Sequence, residues 1–177
     1  MQIMTKHPLL DELLSQYQTQ LGTDATAYRN HCYRVFNFYM AFMARNPENL
    51  AKGAIAIAFH DLGIWTHKTL DYLDPSIELA TDYLTKTDLV IWTDDICAMI
   101  DNHHKVTVYP NNILVESLRK ADWIDVSLGA LHFGLSRPFI EAVQKAFPNA
   151  GFHQKLVRLS LSNVIKHPLK PLPIFKW

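Results

Sequence analysis

The chain has 177 residues, of which 49% are apolar and 19% charged, and its formal net charge is +0. That length suits one domain with a sizeable core, and that composition excludes a disordered or fibrous chain. The balanced charge gives no general attraction to a nucleic-acid polymer or an anionic membrane, so neither is expected as a partner, although local basic groups can still bind a phosphate. In chain order, Met1 to Pro8 lack the basic start and apolar core of a signal peptide. His7-Pro8 opens an amphipathic stretch to about Leu21, with Leu10, Leu13, Leu14 and Tyr17 on one side. Gly22-Thr23-Asp24 is a break and a cap before a helix from about Ala25 to Arg45. Val35, Phe38, Tyr39 and Phe42 form its apolar stripe, and His31 lies one turn before Val35 on the same face.

Asn46-Pro47-Glu48 reads as the start of the next helix, with Asn as cap and Pro in the first helical position. The helix continues through the small apolar run Ala54 to Phe59 into His60 and Asp61, and Gly63 reads as its stop. Ile64 to Asp74 is expected to be a loop. Asp74-Pro75 starts a helix through Ile77, Ala80, Tyr83 and Leu84. Thr93-Asp94-Asp95 caps another, in which Ile96, Met99, Ile100 and His103 share helical spacing. After a loop at Lys105 to Asn112, Ile113 to about Leu128 is helical with Val115, Leu118, Ala121 and Asp122 inward. Further helices run from Ser136-Arg137-Pro138 to Phe147 and from Phe152 to about Ile165. The proline-spaced tail Lys166 to Trp177 is expected to be an extended strap. Its Ile174, Phe175 and Trp177 suggest packing on the body or on another subunit, which hints at a homodimer. No run alternates at period two and no apolar run approaches the roughly 20 residues of a spanning helix. The expected fold is therefore all-α, a single-domain helical bundle over residues 1–177.

Taken alone, a His-Asp pair at a helix end is a capped terminus. Here other inward faces also carry groups foreign to an apolar core, namely His31 and Asp122. A carboxylate buried without a partner is expensive, whereas imidazoles and carboxylates converging between helices make a divalent metal site. Cys32 and Cys97 form no C-x-x-C and no disulfide framework, so a reduced, cytoplasmic setting is the simplest expectation. Cys32 itself suits a small buried apolar position.

The segments Asn30-His31-Cys32-Tyr33-Arg34-Val35, Phe59-His60-Asp61-Leu62-Gly63 and Arg119-Lys120-Ala121-Asp122-Trp123, in that order on successive helices, resemble the HD-domain superfamily of metal-dependent phosphohydrolases. The likeness covers about residues 25–130, leaving the last helices and the Pro-rich tail, about 131–177, outside it. It implies metal ligation by His31, His60, Asp61 and Asp122. Asp125, one turn after Asp122, is an alternative or a support. Two-metal members carry two further histidines. One would fall at Asp74-Pro75-Ser76, where this chain has none; the other matches the helix ending in His103-His104. The resemblance therefore implies one tightly held divalent transition metal ion (Mn, Fe, Co, Ni or Zn), with a second, weaker ion as an option.

The implied activity is hydrolysis of a small phosphoester, such as a nucleotide, by metal-activated water. Asp61 is the expected general base. His103, which shares the inward face more plausibly than His104, is expected to contact substrate, donate a proton or ligate the weak ion. Lys68, His104 and Lys105 are expected substrate-phosphate contacts, with Arg119 and Lys120 as further cations of the right kind, while Arg34 is expected in a structural ion pair. Trp65, His67 and Tyr72 could wall a base or ring. His7, His132, His153 and His167 lack partner spacing and carry no functional reading. The same scaffold hosts mixed-valent di-iron oxygenases and a hydratase, and a complete ligand set is also compatible with a non-catalytic nucleotide-binding regulatory module.

Overall fold

A computed structural model describes residues 1–166. Its regular elements are all helical: α1 (Pro8–Gln16), α2 (Gln18–Leu21), α3 (Ala25–Phe42), α4 (Pro47–Phe59), α5 (Gly63–Thr66), α6 (Leu73–Lys86), α7 (Thr93–Asn102), α8 (Ile113–Val126), α9 (Arg137–Ala146) and α10 (Phe152–Lys166). The all-α expectation holds. The proposed strap and the dimer hint rest on residues 167–177, which lie outside the described residues.

Three helices start where local chemistry dictates. The His7 ring accepts the Leu10 N–H ahead of Pro8, Asn46 accepts the Asn49 N–H at 2.8 Å ahead of Pro47, and Asn112 accepts the Leu114 N–H at 2.9 Å. Each cap satisfies an amide that the first turn leaves orphaned. The centre of the fold is α3, buried on nearly every side and packed most extensively against α8. Across it lies α4, whose small residues permit a close approach. A Cβ on Gly53 would stand 2.4 Å from the Tyr39 ring, so only glycine fits there. α7 packs on α4, α6 and α8, so the ends of α4 and α7 and the middles of α3 and α8 are brought to one place.

The structure corrects several boundaries. α3 ends at Phe42, short of Arg45. α4 ends at Phe59, and His60, Asp61 and Leu62 form a turn rather than its last coil. Gly63 is therefore no helix stop; it opens α5, inside what had been expected to be loop. Its reason is space. A Cβ there would lie 2.6 Å from the Tyr72 carbonyl oxygen, and its N–H donates to Ser76 Oγ at 3.0 Å. α6 begins one residue earlier than Asp74 and holds Pro75 in its first turn, where a missing N–H costs no helical bond. Thr93 does not cap α7: no side chain caps that helix, and Asp95 instead accepts from Lys52 at 2.8 Å and from Asn112 at 3.2 Å.

Replacing Gly63 by alanine forces its turn away from Tyr72. Gly63→Ala is expected to lower unfolding stability by about 1–3 kcal/mol, read from the urea midpoint. A wild-type midpoint would contradict the close approach.

Candidate metal centre

His31 comes from the middle of α3, His60 and Asp61 from the turn after α4, His103 and His104 from the end of α7, and Asp122 from α8; every one of these side chains is buried. His60 keeps helical dihedrals and its N–H still bonds to the Ala56 carbonyl at 2.9 Å, so its ring is fixed by the helix it terminates. The helix ends there, and Asp61 swings round beside it. His31 Nε2 and His60 Nε2 lie 2.9 Å apart. Asp61 Oδ2 lies 3.5 Å from the first and 3.4 Å from the second, and Asp122 Oδ1 lies 3.8 Å from each. Neighbouring ligand atoms around an ion with bonds of about 2.1 Å stand roughly 3.0–3.4 Å apart; the imidazole and Asp61 separations lie close to that range and the Asp122 oxygen stands a few tenths of an ångström further out.

The hydrogen bonds on the far side of each ring decide what those nitrogens carry. His31 Nδ1 faces Asp125 Oδ2 at 2.7 Å, His60 Nδ1 faces the Ile57 carbonyl at 2.7 Å, and His103 Nδ1 faces the Ile100 carbonyl at 2.5 Å. Those oxygens only accept, so each Nδ1 holds a proton. In the neutral rings each Nε2 is then a lone pair, and the lone pairs converge on carboxylate oxygens. Asp61 Oδ1, both oxygens of Asp122 and His103 Nε2 have no hydrogen-bond partner among the described residues. A buried, unpaired, electron-rich set of this kind is costly unless a cation occupies it. A metal ion fits the donor set, as the groupings His31–His60–Asp122, His60–Asp61–His103 and His103–His104–Asp122 each present converging ligand atoms.

The second oxygens of the two aspartates face the other way. Asp61 Oδ1 is 3.3 Å from His103 Nε2, and Asp122 Oδ2 is 3.3 Å from His104 Nδ1. His104 is thus drawn inward together with His103, although helical spacing had made His103 the more plausible of the two to face the cluster. His104 Nε2 pairs with the Tyr72 hydroxyl at 2.6 Å. α7 ends at Asn102, and His103 and His104 follow it in a turn. Ser76 is buried and receives the Gly63 N–H at 3.0 Å.

Electrostatics follow from this packing. Burial would raise the Asp61 carboxyl, but His60, His103 and His31 overcome it and hold it well below the usual range. Asp122 is likewise lowered against burial by His60, His104 and His103. Burial would lower His31; hydrogen bonds and charge from Asp125 and Asp61 win and raise it to about 9. His103 is raised against burial by Asp61 and Asp122. His104, by contrast, is driven down to about 3 by burial and by His103. Without a metal, protons supply the missing positive charge.

Asp125 stands behind His31 rather than beside Asp122. It also accepts from Arg34 at 2.9 Å, and burial notwithstanding, His31 and Arg34 hold it at about 2. Arg34 thus makes the buried ion pair expected of it. Sequence reasoning missed two further supports. The His153 ring bonds to the Asp125 backbone carbonyl at 2.8 Å, and Phe152 stacks on His31 at 3.9 Å between ring centroids. Both come from the start of α10, and no spacing motif announced them.

The cations lie elsewhere. Lys68 is exposed at a positive φ of 52° and lines a cleft of about 500 Å³ beside Trp65, separate from the cluster. Lys105 is half-buried, and its carbonyl accepts from Arg119 at 3.3 Å and from the Trp123 indole at 3.2 Å. Arg119 and Lys120 pair with Glu116, at 2.7 and 3.4 Å. Trp65 bonds to Asp24 at 2.9 Å and packs on Tyr28, and Cys32 is buried. No helix among the described residues is long and apolar enough to cross a membrane. No protein-family model, curated protein or solved structure matches this chain.

Removing the charge behind His31 frees its ring. Asp125→Asn is expected to weaken divalent-metal binding about 10–100-fold, read by competition with a chromophoric chelator; unchanged affinity would contradict the positioning role. The His31 shift also has a sign. A group raised from 6.5 to about 9 in the folded, metal-free protein stabilises it fully below 6.5 and ceases to do so as pH rises through 9. Metal-free protein should therefore lose on the order of 3 kcal/mol between those limits, measured by urea unfolding at stepped pH. A flat profile would count against the proton held at His31.

Proposed function

We propose that the cluster holds one tightly bound divalent transition metal ion, Mn, Fe, Co, Ni or Zn, on His31, His60, Asp61 and Asp122, and that the protein hydrolyses a small phosphoester there. The observation that carries the reading is the convergence of lone-pair nitrogens and unpartnered carboxylate oxygens in a buried site. The order of these groups along the chain, compatible with an HD-type site, adds the reaction class. An ion of this kind supplies a water of lowered pKa and a polarised phosphoryl oxygen.

The chain's own residues do the rest. Asp61 faces His31 and His60 with one oxygen and His103 with the other. It is placed to take the proton of the attacking water as a P–O bond forms. His103, whose Nε2 lies 3.3 Å from Asp61 Oδ1, would hand a proton to the departing oxygen as the scissile P–O bond breaks. His104 and Tyr72 hold each other and border the approach to the cluster. Lys68 and Lys105 sit outside that approach and would contact only a substrate long enough to reach them.

The donors His103, His104 and the second aspartate oxygens favour, as a second reading, a two-ion site of the non-hydrolytic kind that the resembled scaffold also hosts. Iron near two per chain with a coupled electron paramagnetic resonance signal would select it.

The test is elemental analysis of protein purified without added metal, followed by a phosphoester panel with the metal found. Asp61→Asn is expected to lower kcat by about 10²–10⁴, and His60→Ala to lose bound metal and activity together. Full activity in either variant ends the proposal, and ligand binding without turnover over several metals would make the protein a sensor.

A further inference from the structure

Beside the cluster lies a cavity of about 310 Å³ that opens onto Asp61 and His104. Leu70 and the Tyr72 ring form one side, Trp123 and Val126 of α8 another, and Leu156 and Leu161 of α10 the outer wall. No lysine or arginine is among the described residues that line it. Two of the polar edges nearby are engaged: the Trp123 indole N–H donates to the Lys105 carbonyl, and the Tyr72 hydroxyl is tied to His104, while Ser160 of α10 adds one hydroxyl residue to the lining. What the rings present to the space is carbon. The neighbouring cleft differs in kind, being bordered by Lys68 and by a Lys155 that pairs with Asp24 at 2.7 Å.

From this contrast we infer that the substrate is a phosphomonoester of an uncharged, largely apolar alcohol or phenol, with its organic group in the cavity and its phosphate at the metal cluster. The inference rests on the phosphohydrolase reading for the phosphate and on the cavity alone for the organic group. A leaving group that carries further phosphates would bury negative charge with no cation to pair it, and the Asp61 carboxylate at the mouth would repel it. An aromatic or branched aliphatic group instead removes apolar surface from water and stacks on Tyr72 or Trp123. At about 30 Å³ for each water-sized group the space holds on the order of ten of them, which is one or two fused rings. Pockets of this size with apolar walls and a few convergent polar groups are the usual form of a small-molecule site.

Leu161 allows a clean test because it is 61% exposed, so its replacement leaves the packed core intact. Binding of 1-naphthol, a neutral probe that needs no metal, is followed by calorimetry on metal-free wild type and Leu161→Asp. The wild type should bind it, and the variant should bind at least about tenfold more weakly. With metal loaded, kcat/KM for 1-naphthyl phosphate should exceed that for glycerol phosphate and for nucleoside diphosphates at least tenfold. Leu161→Asp should erase that preference by lowering kcat/KM for 1-naphthyl phosphate at least tenfold. Absence of naphthol binding, equal binding by the variant, or a preference for the polar or polyphosphate substrates would each overturn the inference. Naphthol binding that depends on Leu161, with no phosphoester hydrolysed under any metal, would uphold the apolar ligand class and end the phosphohydrolase reading instead.

Discussion

Three imidazoles in this protein have no freedom to choose their tautomer. Each Nδ1 proton is committed to an oxygen that can only accept: Asp125 for His31, the Ile57 carbonyl for His60, the Ile100 carbonyl for His103. Their other nitrogens must then face one another and the carboxylates of Asp61 and Asp122 as bare acceptors. Every other feature of the centre answers this constraint. A site so rich in electrons, buried among α3, α4, α7 and α8, is stable only with positive charge inside it. Protons on His31 and His103 meet that need at a cost in pH sensitivity, and a divalent ion meets it with better geometry. Burial and function are coupled here: the depth that makes unpaired donors expensive is the depth that lets an ion bind strongly and polarise what it touches.

The bundle is arranged to hold that strain. The close pairing of α3 with α8 sets His31 against Asp125 and Asp122, and the Arg34 ion pair and the His153 ring lock Asp125 from behind. Gly53 lets α4 come near α3, and Gly63 lets the turn after His60 tuck under the Tyr72 carbonyl. α10 has two tasks. Its first residues, Phe152 and His153, buttress the ligand shell, and its next turns wall the apolar cavity that leads to it. Cluster and cavity have opposing characters, one charged and one almost without polar lining.

Sequence reasoning reached the parts that local chemistry specifies. Asn46-Pro47 marks a helix start because an Asx cap and a first-turn proline act within a few residues. His31, His60, Asp61 and Asp122 stood out because polar groups on apolar helical faces demand partners, and the structure brings those four together. Gly63 was misjudged because a glycine that ends a helix and one that admits a neighbouring carbonyl look alike in a sequence; only the distant Tyr72 separates them. Helical spacing ranked His103 above His104 as the inward residue, and the structure turns both toward the aspartates. The choice between Asp122 and Asp125 could not be made from spacing, since both lie on one face of α8 and differ in which His31 nitrogen they meet. The contribution of α10 rests wholly on long-range packing, and nothing in its own residues signals it.

The central claim is that a metal ion sits among the four converging side chains. The most direct measurement is an anomalous diffraction map collected at the absorption edge of the metal found by elemental analysis. The account predicts a single strong peak about 2.0–2.3 Å from His31 Nε2, His60 Nε2, Asp61 and Asp122. A map empty at that place, with the two imidazoles sharing a proton across the gap, would contradict it.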